Sequence, residues 1–448
     1  MKKYDSYKDS GVEWIGEIPS QWNIRKLKFV CKIFNGDSLK DEEKELYSQE
    51  IENAIPYVST KDIDIGTSKI NYENGLRIPV DHSRYKIAPK NSFLMCIEGG
   101  SAGRKYSYLE KAVFFVNKLA CFETKSENNK FLYYYSQSPL FQSQFQNSLS
   151  GLIGGVAISQ IRNFSVILPI PDEQTAIANH LDQKTTQIDA LIAKKERLIQ
   201  LLEEERTAII NQAVTKGLDP TVPMKDSGID WIGDLPFNWQ IKRIKHTTYV
   251  KGRIGWQGMR SDEFLESSDS YVVTGTDFEK GLVKWDTCYQ VPLERYEEDP
   301  FIQLREGDLL ITKDGTIGKI AVVKNIPKIA TLNSGVFLTR PLSDSYVPEF
   351  MYWILYSEVF KTFYDFNKSG STIQHLYQNV FNEFKYPLPP MKEQIEIINH
   401  INIKTNALDL VISKTKQEIE LLKEYKTALI SEVVTGKLDV RDWVAGEN

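Results

Sequence analysis

Residues 251–260 read Lys-Gly-Arg-Ile-Gly-Trp-Gln-Gly-Met-Arg, with three cations, three glycines, a tryptophan and a glutamine in ten positions. These residue types suit a DNA groove. Arginine donates in bidentate fashion to guanine O6 and N7, glutamine pairs with adenine N6 and N7, and lysine holds phosphates. Glycines let the backbone come close to a surface. The spacing predicts base readout by Arg253, Gln257 and Arg260, with Trp256 beside them and Lys251 on a phosphate. The plainer reading is a surface turn with solvated cations. Two further turns answer each other, Glu98-Gly-Gly-Ser-Ala-Gly-Arg-Lys105 and Asp314-Gly-Thr-Ile-Gly-Lys319. Each carries a hydroxyl and ends in a cation. Ser101, Arg104 and Lys105 in one, and Lys313, Thr316 and Lys319 at the other, are therefore candidate DNA contacts, with tight hairpins as the alternative. The first-half stretch that matches the basic loop offers only Lys32, Asn35 and Gly36.

Chemistry of other kinds finds no pattern. The chain has no GxxxxGK[ST] phosphate loop, no GxGxxG after a strand, no HExxH and no GxSxG. Leu388-Pro-Pro-Met391 is not the Asn/Asp-Pro-Pro-aromatic signature of amino-methyltransferases. Glu123-Thr-Lys125 resembles the end of a nuclease carboxylate-x-Lys, a triplet that chance supplies in a Lys/Glu-rich chain. His180 and His400 take equivalent helical places without a second ligand one turn on, the pattern of structural histidines. Neither a metal nor a cofactor is expected. Cys31, Cys96, Cys121 and Cys288 are scattered, as in a reducing cytoplasm. No apolar run reaches 18 residues, and the first residues lack the apolar core of a secretory signal, so neither membrane nor export is expected.

The elements that position these residues occur twice. Asp9–Lys28 reads DSGVEWIGEIPSQWNIRKLK and Asp226–Lys245 reads DSGIDWIGDLPFNWQIKRIK; ten of the twenty pairs are identical, at an offset of 217. Trp14 and Trp22 are expected as anchors, followed by a strand over Ile24–Lys28. Short β-rich runs follow, such as Ile55–Ser59, Ser92–Ile97 and Ala112–Val116 in the first half, and Tyr271–Thr274, Asp308–Thr312 and Ile320–Val323 in the second. An aromatic helix is expected over Lys130–Gln146 and again over Glu349–Tyr364. The loops Ser150–Gly155 and Lys368–Ser371 come next, and then the exits Leu168-Pro-Ile-Pro171 and Pro387-Leu-Pro-Pro390. From Asp172 to Lys216 there is no glycine or proline. Ile177, Leu181, Ile188, Leu191, Ile192, Leu198, Ile199, Leu202, Ile209 and Ala213 give a heptad seam, Gly217 caps its end, and Asp182 is a place for a break. Lys392–Thr435 repeats this helix at an offset of 220, with Glu173-Gln174 matching Glu393-Gln394 and His180 matching His400. Net charge is −5, divided as +3, −2, −4 and −2 over residues 1–170, 171–217, 218–389 and 390–448. DNA contact must then come through local patches or with a basic partner.

Taken together, the box, the variable domain, the proline exit, Glu-Gln and the long helix ending Val214-Thr215 or Val434-Thr435, all repeated, resemble the specificity subunit of type I restriction–modification systems. The resemblance covers nearly the whole chain. It implies an α+β fold in which two mixed α/β target-recognition domains in tandem repeat are separated by two long antiparallel coiled-coil helices. The expected divisions are residues 1–170, first recognition domain; 171–217, central helix; 218–389, second recognition domain; 390–440, C-terminal helix; and 441–448, tail. The implied function is recognition of a bipartite asymmetric sequence in double-stranded DNA, without catalysis by the chain itself. Two methyltransferase subunits and restriction (motor/nuclease) subunits are the implied partners. The repeated Glu173, Gln174, His180, Glu393, Gln394 and His400 are the expected contacts to the methyltransferase. The helices are expected to act as a ruler between half-sites. A nuclease or methyltransferase with divergent motifs and a coiled-coil scaffold without DNA remain the alternative classes.

Overall fold

The computed structural model describes residues 2–48, 52–124, 126–150, 154–253, 259–367 and 375–442. The chain divides into two units, Met1–Glu196 with Thr415–Asn448, and Arg197–Lys414. Lys125 and residues 368–371 of the second glycine-serine loop lie outside the described residues, as do residues 151–153 of the first.

In the first unit the larger sheet is antiparallel, in the order Cys31–Asn35, Leu119–Thr124, Phe93–Cys96, Tyr106–Tyr108. A second sheet runs Arg77–Pro79, Ala54–Val58, Val113–Phe115, Ile87–Ala88, and its middle pair is parallel. The second unit repeats this. Its larger sheet runs Thr248–Gly252, Val336–Pro341, Leu309–Thr312, Ile320–Val322 and continues into two short strands. Its smaller sheet again holds a parallel pair, Ser270–Val273 with Ala330–Leu332. The duplication legible in box and helix therefore runs through the domains whose sequences have diverged. The longest strands, Leu119–Thr124 and Val336–Pro341, are not among the runs singled out above. Both are buried over their first four residues. A strand covered on both faces shows no alternation to find.

The expected strand Ile24–Lys28 is Asn23–Lys26, after which Leu27–Val30 makes one helical turn with Leu27 and Val30 buried. Asn23–Lys26 pairs with Ser165–Leu168, and Gln240–Arg243 with Lys385–Leu388, so each domain is zipped shut where the chain enters and leaves. Trp22 and Trp239 are fully buried; Trp14, expected as an anchor, is 46% exposed. Each expected aromatic helix is two. Asn129–Tyr135 stops and Pro139–Asn147 restarts, because Ser138 accepts a hydrogen bond from the Phe141 N–H and Pro139 fits the first turn. The second copy breaks at Ser357, between Pro348–Tyr356 and Glu358–Asn367.

The long helices are Pro171–Lys216 and Met391–Val434. The first is unbroken at Asp182, whose carboxylate takes the Lys130 ammonium and the Tyr134 hydroxyl instead of capping a new start. In the first unit Asp189 meets Lys426 and Lys195 meets Glu418, so residue numbers rise on one helix as they fall on the other and the pairing is antiparallel. In the second unit Arg206 meets Asp409 at 3.2 Å. Gly217, with φ +72°, ends the first helix. The expected seam needs correction at Leu191 and Leu198, which are 43% and 41% exposed. The less exposed stripe is Ile188, Ile192, Lys195, Ile199, Leu202 and Arg206, in steps of four and three. Lys195 and Arg206 can stand in it because each has an acid to meet. No described helix is long and apolar enough to cross a membrane.

Candidate nucleic-acid interface

Two strands of the second larger sheet flank Val336–Pro341 and end side by side. Lys251 stands at the end of one and Lys313 just past the other. The Lys313 N–H donates to the Gly335 carbonyl, and the Lys313 carbonyl accepts from the Leu376 N–H, both at 2.9 Å. This pair of bonds brings the segment from His375 to Gln378 against the strand ends. Lys251, Lys313, Asp314, His375, Tyr377 and Gln378 then line one depression. Each ammonium sits over a ring, Lys251 at 5.4 Å from the centre of Phe301 and Lys313 at 5.2 Å from that of Phe337. Such seating favours the cation without using up its donors. His375 Nδ1 lies 2.6 Å from Asp314 Oδ1. His375, Tyr377 and Gln378 carry no sequence motif; the backbone bond to Lys313 and the Gln378 amide, which donates to the Val250 carbonyl at 3.0 Å, place them here.

Arg253, expected to read a base edge, cannot do so in this structure. It is 1% exposed. Its Nε donates to the Leu332 carbonyl at 2.8 Å and its Nη2 to Thr331 Oγ1 and the Arg295 carbonyl, both at 3.2 Å. Nη1 meets Glu298 at 3.1 Å. Burial pulls its pKa down, against the Glu298 charge. The guanidinium is a strut between strand and loop. Trp256 and Gln257 lie outside the described residues. Arg260 is exposed, and its backbone N–H donates to Glu263.

Thr316 and Lys319 are exposed on a turn that closes on itself. Thr312 Oγ1 donates to the Thr316 carbonyl at 2.6 Å and accepts from the Lys319 N–H at 2.9 Å. In the first unit the Ser101 carbonyl accepts from the Arg104 and Lys105 N–H groups. The Arg104 guanidinium bonds the Gly100 carbonyl, and Lys105 Nζ donates to the Thr60 carbonyl at 2.8 Å. Both stretches are the tight turns offered above as the alternative. Arg104 is exposed on its turn, whereas the Lys105 ammonium is tied inward.

Most of the residues expected to meet a methyltransferase face inward, which corrects that expectation. Trp22 Nε1 donates to Glu173 at 3.0 Å, and Trp239 Nε1 to Glu393 at 2.9 Å. Gln174 accepts from the Asn128 N–H and donates to the Pro169 carbonyl; Gln394 does the same with Val347 and Pro389. These side chains rivet each long helix to its own domain, and the carboxylates also suit the positive helix N-terminus. His180 is 4% exposed, and burial together with the nearby Lys184 lowers its pKa, which favours the neutral ring. His400 is half-buried. Among the charged side chains that both helices expose stand several large apolar ones, Leu201 on the first and Ile403, Leu410 and Leu421 on the second. Among the described residues no group of three His, Cys, Asp or Glu is placed to hold a metal.

The architecture is one α/β domain present twice, each copy followed by a long helix, with Lys251 and Lys313 at the strand ends of the second copy. The chain matches the family described as the type I restriction modification DNA specificity domain over residues 19–201 and 260–421, and it belongs to that family. It is 22% identical to the specificity subunit of the type I restriction enzyme MjaVIII of Methanocaldococcus jannaschii, over 95% of each chain. It is 20% identical to that of EcoKI of Escherichia coli K12, over 97% of this chain and 94% of the other. A solved structure concerned with assembly of the type I R-M system contains a chain similar at a TM-score of 0.68 and 16% identity, over 94% of this chain and 99% of that one. The HsdS subunit from Thermoanaerobacter tengcongensis gives a TM-score of 0.52 and 15% identity, over 94% and 98%. These two likenesses concern the fold.

Proposed function

We propose that this chain is the subunit that gives a type I restriction–modification complex its DNA sequence specificity. Residues 1–170 and 218–389 each read one half of a bipartite asymmetric target. Residues 171–217 and 390–440 connect them and, through exposed apolar positions such as Ile403, Leu410 and Leu421, carry two methyltransferase subunits. Restriction subunits join through those. The complex works on double-stranded DNA in the cytoplasm, and the chain itself contributes no catalytic group. The observation that supports this reading best is a single domain topology present twice with different side chains at equivalent strand ends. Two copies of one frame with different fillings are what an asymmetric two-part target requires.

The test is to replace residues 246–388 by the equivalent domain of a relative, express the chimaera with its methyltransferase, and map methylated sites genome-wide. One half of the methylated sequence should change and the other should stay. A change in both halves overturns the modular reading.

A further inference from the structure

We infer that both domains read bases through one and the same notch, present twice, and that its chemistry is inverted between them. The second notch donates hydrogen bonds to guanine O6 and N7; the first accepts them from an exocyclic amino group of cytosine or adenine. This rests on the specificity-subunit reading above.

The equivalence is fixed by the backbone. Asn35, Ala120 and Met95 lie abreast in the first larger sheet, and Gly252, Phe337 and Ile311 in the second. Just past the third strand, the Ile97 N–H donates to the Lys118 carbonyl and the Ile97 carbonyl accepts from the Val156 N–H, both at 2.9 Å. Lys313 makes the same two bonds at the same lengths, to Gly335 and Leu376. A depression opens at that point in each domain, lined in the first by Asn35, Glu98, Asn117, Ser150 and Val156. Each has a volume of about 470 Å³.

The register then matches side chains. Phe34 stands where the second domain has Lys251, Ile97 where it has Lys313, Glu98 where it has Asp314, and Gly155 where it has His375. In the second notch the one carboxylate is engaged by the imidazole and the Gln378 amide by the Val250 carbonyl, which leaves two ring-seated ammonium groups beside the exposed Tyr377 hydroxyl as the donors. In the first notch glycine replaces the imidazole and apolar residues replace both lysines, while Glu98 is exposed. Of the cations beside it, Lys86 is spent on the Asn35 carbonyl at 3.0 Å and on Asp37 at 3.5 Å, and Lys32, over the Phe34 ring at 4.7 Å, lies 3.7 Å from Glu123. Ser38 Oγ lies 2.7 Å from Asn117 Oδ1 and fixes that amide. In the major groove lysine pairs with guanine O6 and N7, carboxylates accept from cytosine N4, and asparagine pairs with adenine N6 and N7. The sign of each notch therefore selects its base edge.

The experiment uses the whole complex with its methyltransferase subunits and the bipartite target found by methylation mapping. Guanines in a duplex of that target are replaced one at a time by 7-deazaguanine, which lacks the N7 acceptor. Binding should weaken on the order of 10-fold at a guanine in the second half-site. The double variant Lys251→Ala/Lys313→Ala should lose that discrimination. Glu98→Ala, which removes the accepting oxygens, should relax one cytosine or adenine position of the first half-site and leave the deazaguanine effect intact. Melting curves of each variant establish that it is folded. Deazaguanine sensitivity that survives the double variant overturns the inference, as does an unchanged first half-site in Glu98→Ala. A wild-type complex with no bipartite target at all would instead overturn the specificity-subunit reading.

Discussion

Arg253 and Gly36 hold the same place, one residue beyond the first strand of each larger sheet. At Gly36 a Cβ would lie 1.8 Å from the Phe115 carbonyl oxygen, so no side chain fits there. At Arg253 the equivalent space admits a guanidinium with four partners. Arg253→Ala should therefore cost about 1–3 kcal/mol for each of the two carbonyls it leaves without a donor, while Glu298 keeps Arg295 at 2.7 Å. The measurement is the shift of the unfolding transition in urea; an unchanged transition with altered base preference would make Arg253 a reader after all. His180 gives a pH dependence with a definite sign. Its folded pKa is lowered from the usual 6.5, so the unfolded chain binds the extra proton first. Its neutral form carries no penalty above that value, and stability should fall as pH drops from 6.5 through the lower folded value. A His180→Gln variant should flatten the slope of melting temperature between pH 7 and about 5. An equal slope in both proteins would locate the pH effect elsewhere.

At the scale of elements, the sequence was most legible where one face repeats. Both long helices stand where their spacing predicts, and the boxes keep Trp22 and Trp239, though not Trp14, as anchors. The seam was misread at Leu191 and Leu198 because hydrophobicity alone picks leucine over Lys195 and Arg206, whose acids lie on the other helix. The notches were half legible. Lys251 and Lys313 carry a charge signal, but Glu98, Asn35 and His375 gain meaning only from which strands lie abreast. The paired register also decides how the ruler can be lengthened. Four residues added near Lys195 alone would offset Asp189 from Lys426 and turn the seam outward. Seven residues added to both helices, near Lys195 and near Glu418, keep heptad and ion pairs. They lengthen each helix by about 10 Å. Methylation mapping should then find the same half-site bases about three base pairs further apart, at roughly 3.4 Å per pair. Methylation at the original spacing would remove the helices as the ruler.

For the molecule as a whole, Asp189 with Lys426 and Asp409 with Arg206 are one contact made twice, since each second-helix residue lies 220 beyond its first-helix counterpart. The glycines after the helices, 219 apart, make a similar contact: Gly436 lies against Pro19 and Trp22 in one unit, Gly217 against Pro236 and Trp239 in the other. Residues 1–217 thus hold both members of every such contact, Asp189 and Arg206, Trp22 and Gly217. Covalent continuity between the halves is then dispensable. Two copies of this fragment should associate head to tail through their helices, which sedimentation would register as a dimer. With the methyltransferase present, such a dimer should abandon the asymmetric target for a palindrome, the first half-site facing its own inverted copy. A fragment that stays monomeric would mean that the duplicated contacts are too weak to assemble without the peptide link.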